Sequence, residues 1–312
     1  MIQEKKPILY VMVGLSASGK STIAKEIAEK NNAEIVSTDA IRGEICPEGV
    51  SDQSMNEEVF KIFHKRICGN LMADRNVIAD ATNITMKSRR AIFEAIKNIE
   101  CYKIAYVMTK EFINCFIDNS SREYPVPRDV LYRQMNKFQI PFIEEGFNEI
   151  VIHKTKPIDI STSFFFDIAE KMNGFDQKNP HHTLDLLTHC NLAKDKFKKK
   201  IGYLWSEYPI AVGLHDVGKL FTQTFDVDDD MSIAHYYGHE NVGSYYLLSH
   251  EQHFRATGYT DEELLNILFL VNYHMMPFSW TSKEAHKKWK RRFGDNKYKL
   301  LIDFNDCDIN AK

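Results

Sequence analysis

Apolar residues in the first half of the chain come in short continuous runs. Residues 8–13 (Ile-Leu-Tyr-Val-Met-Val) form one, ending at a Gly-rich turn, and 34–37, 76–79, 102–108 and 150–153 form others. Runs this short, bounded by turn residues, predict buried strands. Between them the period changes: Ile23 and Ile27 lie four apart within 22–30, and 57–72 and 87–99 also read as helices. Strands alternating with helices predict a mainly parallel sheet covered on both faces. From about residue 161 the strand signals fade, and helices are expected over 183–199, 208–214, 239–251, 261–272 and 297–306. The expected architecture is an α/β domain over residues 1–160, a parallel sheet with flanking helices, followed by an all-α domain over 170–312, with the boundary near 155–175.

A chain of 312 residues has room for two such cores. Its net charge of −3 does not announce a nucleic-acid binder, so any such contact must rest on local patches. The six cysteines show no CxxC and no regular spacing, which argues against a disulfide framework or a zinc–thiolate site. The first residues lack an apolar leader, and no stretch of about 18 apolar residues occurs. A soluble, cytoplasmic protein without membrane contact is expected.

Gly14-Leu15-Ser16-Ala17-Ser18-Gly19-Lys20-Ser21 is a complete P-loop, placed between a predicted strand and a predicted helix. Its backbone N–H groups would wrap phosphates, Lys20 would meet the β and γ phosphates, and the Ser21 hydroxyl would ligate Mg²⁺. The nucleotide cradle comprises Gly14, Ser16, Ser18, Gly19, Lys20, Ser21 and Thr22, for ATP or another NTP. After the second strand, Asp39 either accepts a proton from an attacking hydroxyl or caps the next helix. Arg42 would hold an acceptor phosphate nearby. Asp80 ends another buried strand and, with Asn83, either faces the acceptor or serves turn chemistry.

Ten of the twelve histidines lie from His181 onward, an enrichment that favours a metal site in the helical half. His215-Asp216 closes an apolar run, His189 lies 26 residues upstream on a helix, and Asp303, Asp306 and Asp308 sit on the last one. Such ligands suit Mn, Fe, Co, Ni, Zn or Mg. A metal site of this kind polarises phosphoryl oxygens, pointing to phosphate hydrolysis. Lys219 holds phosphate or is simply solvated. Residues 286–293 (His-Lys-Lys-Trp-Lys-Arg-Arg-Phe) interleave aromatics with cations, either as an RNA-contacting surface or as an amphipathic element with Trp289 and Phe293 in the core. Asp226, Asp228, Asp229 and Asp230 read as an exposed acidic loop.

Two resemblances sharpen this. The series Gly14–Thr22, Thr38-Asp39 with Arg42, Asp80-Ala81-Thr82-Asn83 with Arg89-Arg90, and Arg122 followed by Val126-Pro127-Arg128-Asp129-Val130 resembles the phage and bacterial 5′-OH polynucleotide kinases. That resemblance implies Asp39 as general base, Arg42 at the acceptor nucleotide, and a lid arginine on the donor phosphates, best matched by Arg122 with Arg128 as competitor. The series His181-His182, His189, His215-Asp216-Val217-Gly218-Lys219, His239-Glu240-Asn241-Val242-Gly243, His274 and Cys307-Asp308 resembles the HD phosphohydrolase domain of bacterial tRNA nucleotidyltransferases. It implies His189, His215, Asp216 and Asp308 as metal ligands, Asp308 preferred to Asp306, with His239 and His274 at a second ion or the substrate phosphate.

The reading that follows is a bifunctional RNA end-healing enzyme: an NTP- and Mg²⁺-dependent 5′-hydroxyl kinase joined to a metal-dependent 2′,3′-cyclic phosphodiesterase and phosphatase. Its partners would be RNA ends, tRNA among them, and a separate RNA ligase. The alternatives are a metabolite or nucleoside kinase fused to a nucleotide phosphohydrolase, and a non-enzymatic nucleotide sensor.

Overall fold

A computed structural model describes residues 6–46, 54–155, 163–178, 184–202, 207–226 and 233–311. His181, His182 and Asp228 to Asp230 lie outside the described residues. The chain divides into two compact units, one of Met1–Gln134 with Pro141–His153, the other of Met135–Ile140 with Lys154–Lys312.

The first unit is built on five parallel strands, β1 (Ile8–Val13), β2 (Ala33–Ser37), β3 (Asn76–Asp80), β4 (Tyr102–Val107) and β5 (Glu149–Ile152), in the order β2-β3-β1-β4-β5. The central strand buries both faces, with Leu9, Val11, Met12 and Val13 all fully covered, which is why it reads as a continuous apolar run. Helices α1 (Lys20–Asn31), α2 (Thr38–Ile45), α3 (Asn56–Met72), α4 (Met86–Ala95), α5 (Phe112–Ser120) and α6 (Arg128–Met135) connect and flank them. Of these, α5 and α6 lie outside the expected helical stretches, and α2 is the helix after Asp39 that the sequence reading left without bounds; all three are short. α4 ends at Ala95, four residues before its expected end. Ser37 and Asp80 are register partners, so β2 and β3 end level at the carboxyl edge.

The second unit is helical: α7 (Phe164–Met172), α8 (Leu186–Ile201), α9 (Tyr208–Gly213), α10 (Lys219–Thr222), α11 (His239–Ser249), α12 (Glu251–Ala256), α13 (Asp261–Tyr273) and α14 (Lys283–Ile309). An antiparallel pair of two-residue strands, Thr224–Phe225 and Ala234–His235, corrects the all-α expectation. α13 starts at a capping box, Thr260 with Glu263, and buries every residue from 267 to 273, which makes it the central helix. α14 begins 14 residues earlier than periodicity predicts and is broken at Gly294, whose φ of 72° interrupts the helix. Among the described residues no helix is long and apolar enough to cross a membrane.

Candidate functional site

The carboxyl edge of the parallel sheet gathers the first set of candidates. β1 runs into the P-loop, and Gly19 takes φ 91°, a left-handed conformation that lets the loop turn into α1. Lys20 is buried and its Nζ donates to the Leu15 carbonyl at 2.6 Å. Ser18 Oγ is buried without a hydrogen-bond partner, a donor set suited to a phosphate. The Ser21 hydroxyl donates to Asp80 at 2.9 Å. Asp80, expected at the acceptor, thus stands beside the P-loop, where the pair suits Mg²⁺. Burial raises the Asp80 pKa, against the hydrogen bond from Ser21 and the charge of Lys20. Burial likewise pushes Lys20 down to about 8, although Asp80 and Asp39 oppose it.

Asp39 lies in the first turn of α2, whose N-cap is Ser37, so capping does not account for it. Its carboxylate is exposed and flanked by two guanidiniums, Arg42 at 3.3 Å and Arg122 at 3.6 Å. Arg42, expected at the acceptor phosphate, is buried and also donates to Asn56 at 2.6 Å. Arg128 instead lies over the Phe116 and Tyr132 rings, leaving Arg122 as the arginine beside Asp39. Of the two readings of Asn83, the structure favours turn chemistry. Asn83 is 2% exposed and donates its amide to the Met12 carbonyl at 2.9 Å, tying β1 to the turn after β3, which accounts for it without a substrate. Arg89 is likewise buried, paired with Glu145 at 2.6 Å. Gln134 escaped the sequence reading: its amide receives Ser16 N–H at 2.8 Å and donates to Ser16 Oγ at 3.0 Å. A contact 118 residues apart in sequence leaves no local signal.

In the second unit, four histidines and two aspartates converge. His189 comes from α8, His215 and Asp216 follow α9, His239 opens α11, His274 ends α13, and Asp308 comes from the last turn of α14. Asp216 is central, with one oxygen 3.3 Å from His215 and 3.6 Å from His189, the other 3.1 Å from His239 and 3.5 Å from His274. Asp308 lies 3.0 Å from His189 and 3.3 Å from His215. Gly218 makes the convergence possible, because a Cβ there would sit 1.9 Å from the His239 carbonyl oxygen. Asp306, by contrast, pairs with Lys200 at the surface, at 2.6 Å.

Each histidine donates from Nδ1 to a backbone carbonyl: His189 to Ala311, His215 to Val212, His239 to Tyr236 and His274 to Val271, at 2.7–2.8 Å. A carbonyl only accepts, so Nδ1 carries a proton and each ring turns its Nε2 inward. His215 Nε2 is buried and makes no hydrogen bond. Two groups could therefore hold a metal ion, His189–His215–Asp216 and Asp216–His239–His274, sharing Asp216. The Lys219 ammonium, 2.7 Å from Asp216, is fixed by Gln177 at 2.8 Å, another residue the sequence did not flag. Burial would raise the Asp216 pKa, but His215 and Lys219 hold it well below the carboxylate range. Burial would lower the His215 pKa, yet Asp216 and Asp308 hold it well above the usual value. The two buried carboxylates thus draw positive charge to themselves, here from Lys219 and His215.

Comparison with known proteins bears on the first unit. Residues 9–141, less than half the chain, match the AAA domain family. Similar solved structures include a chain of the Pnkp1/Rnl/Hen1 RNA repair complex (20% identity, TM-score 0.39, covering 43% of this chain and 44% of that one). This chain thus spans less than half the length of that protein. A gluconokinase from Sinorhizobium meliloti 1021 (16%, 0.36, covering 49% and 86%) and a fungal RNA kinase (14%, 0.34, covering 55% and 87%) are also similar. No curated protein matches the chain. The P-loop, the five parallel strands and the flanking helices make the first unit a P-loop domain of parallel α/β architecture.

Proposed function

We propose that the chain heals broken RNA, phosphorylating a 5′-hydroxyl at the P-loop and removing a 2′,3′-cyclic or terminal phosphate at the Asp216 cluster. The observation that supports this best is the pairing, in one chain, of Asp39 between two arginines with a buried His–Asp cluster centred on Asp216. At the P-loop, Lys20 and the loop amides bind the triphosphate of ATP or another NTP, while Ser21 and Asp80 hold Mg²⁺. Asp39 takes the proton of the attacking hydroxyl as Arg122 balances charge on the transferred group. The order of motifs from Gly14 to Arg128 resembles polynucleotide kinases, which supports an RNA end as acceptor.

In the second unit His189, His215, Asp216 and Asp308 hold a metal ion, with His239 and His274 at a second ion or the phosphate. When bound, the metal supplies Lewis acidity toward a phosphoryl oxygen. Mn, Ni, Co, Fe, Zn and Mg all suit the donor set. Lys219 binds a phosphate oxygen, and the fixed Nδ1–H bonds keep the four rings oriented. The healed ends, a 5′-phosphate and a 3′-hydroxyl, are substrates for a separate ligase. The test is an RNA bearing a 5′-hydroxyl and a 2′,3′-cyclic phosphate, incubated with NTP, Mg²⁺ and Mn²⁺, with both termini read by mass spectrometry. Both should change. Phosphorylation of free nucleosides or small alcohols, with the RNA untouched, would replace this reading by a metabolite kinase.

A further inference from the structure

We infer that the first part of α14, residues 283–293, grips single-stranded RNA whose 3′ end enters the Asp216 cluster; this rests on the hydrolase reading of that cluster. Lys287, Lys288, Lys290, Arg291 and Arg292 fall within six residues of a chain whose net charge is −3. Lys287, Lys288, Lys290 and Arg291 are all exposed. Cations three and four apart on a helix repel one another; Asp295, 3.5 Å from Lys290, offsets one of them, and the rest of the charge costs stability unless an anion meets it.

The rings between the cations set the surface in place. Trp280 is buried and stacks on Trp289 at 6.1 Å, and Phe293 packs against Tyr273 at 5.3 Å. Tyr273 directly precedes His274, so the cationic segment is anchored beside a histidine of the cluster. Phe293 is core and Trp289 packs beside it with Lys288 and Arg292 over its ring, at 5.4 and 4.8 Å, while Lys287, Lys288, Lys290 and Arg291 are exposed. Between His274 and Trp280 in the chain, Met275 and Phe278 are 37% and 48% exposed, apolar side chains that follow a histidine of the cluster. An exposed ring for a base, here Phe278, followed by cations for phosphates is the combination that single strands use. The continuity with a phosphate-handling cluster favours RNA over an acidic peptide or an anionic membrane.

The test replaces Lys287, Lys288, Lys290 and Arg291 together by Gln in the full chain. The probe is a short RNA with a 5′-phosphate and a 3′-hydroxyl, which neither reaction consumes. If all four cations meet phosphates, the slope of log Kd against log salt should flatten by about 2.8. Hydrolysis of an oligonucleotide cyclic phosphate should lose roughly tenfold in kcat/KM through KM, since fewer cations release fewer counterions. Hydrolysis of a mononucleoside cyclic phosphate should not change. Unaltered RNA affinity and slope would overturn the grip, as would equal losses on both substrates, which would mean structural damage. Retained RNA binding with lost affinity for anionic vesicles or an acidic peptide would also overturn it. Loss of RNA affinity in a protein that hydrolyses no 3′ end would keep the grip and discard the hydrolase reading.

Discussion

Lys20 links nucleotide binding to pH. The protein's own groups leave its pKa at about 8, because burial outweighs the attraction of Asp80, Cys115 and Asp39 while Arg122 opposes the charge. At pH 8 the ammonium is then about half protonated, at pH 7 about nine-tenths and at pH 9 about one-tenth. A triphosphate against Nζ restores the charged form, so binding should take up about 0.5 proton at pH 8, about 0.1 at pH 7 and about 0.9 at pH 9. Calorimetric titration with Mg-ATP in two buffers of different protonation enthalpy measures this number directly. Lys20→Met should abolish the uptake. The same group acts on stability. Its folded pKa is below the unfolded one, so between about 8 and 10.5 the unfolded chain binds more protons and stability rises with pH. Below pH 8 the deficit is full, roughly 3 kcal/mol at 1.36 kcal/mol per unit. Lys20→Met should therefore be more stable than the parent at pH 7, with the gain shrinking toward pH 10. An uptake equal at pH 7 and pH 8, or one that survives in Lys20→Met, would refute the argument.

Two further outcomes follow from the geometry. Asp39→Asn keeps the size of the side chain but cannot accept a proton, so 5′ phosphorylation should fall by roughly 10²–10⁴ with nucleotide affinity retained; a near-parental rate would remove Asp39 from the chemistry. Asp216→Ala and Asp308→Ala should each lower metal content, read by elemental analysis, and stop 3′-end hydrolysis while the kinase persists. Asp306→Ala, which breaks an exposed pair with Lys200 and a long hydrogen bond from Asn310, should leave metal content unchanged and cost no more than about 1 kcal/mol. Full hydrolysis by metal-free Asp216→Ala protein would dismiss the cluster as the active site.

The sheet was readable because parallel strands buried on both faces must be continuously apolar: 8–13 and 102–108 match β1 and β4 to within a residue. The helices around the first site were less readable. α2 lies directly against β2 with no linker, and α2, α5 and α6 run for only eight or nine residues, too short for a repeat to stand out. Roles that depend on where a side chain spends its hydrogen bonds were not readable at all. Asn83 and Asp80 share one turn, yet Asn83 turns inward to the Met12 carbonyl while Asp80 meets Ser21. Spacing carries no information about that choice; the left-handed backbone of Asn83, at φ 45°, decides it.

The second site shows the complementary case. Its ligand types were visible, but residues 189, 215, 239, 274 and 308 arrive from separate elements, and what brings them together is backbone proximity. Gly218 lets the chain after Asp216 lie against the start of α11, which sets His239 within 3.1 Å of the carboxylate. Substituting Gly218 would therefore push apart the two groups that share Asp216, although glycine itself ligates nothing. The tautomers have the same origin: three of the four Nδ1 acceptors are carbonyls three residues before their histidines, an arrangement made by the backbone path just ahead of each ring. His189 alone reaches across the chain, to Ala311, so the three residues beyond Asp308 help to orient a ring 122 positions away. A cluster assembled this way has its rings oriented by main-chain contacts, so that the Nε2 atoms a metal would use already face the Asp216 and Asp308 carboxylates before any ion arrives.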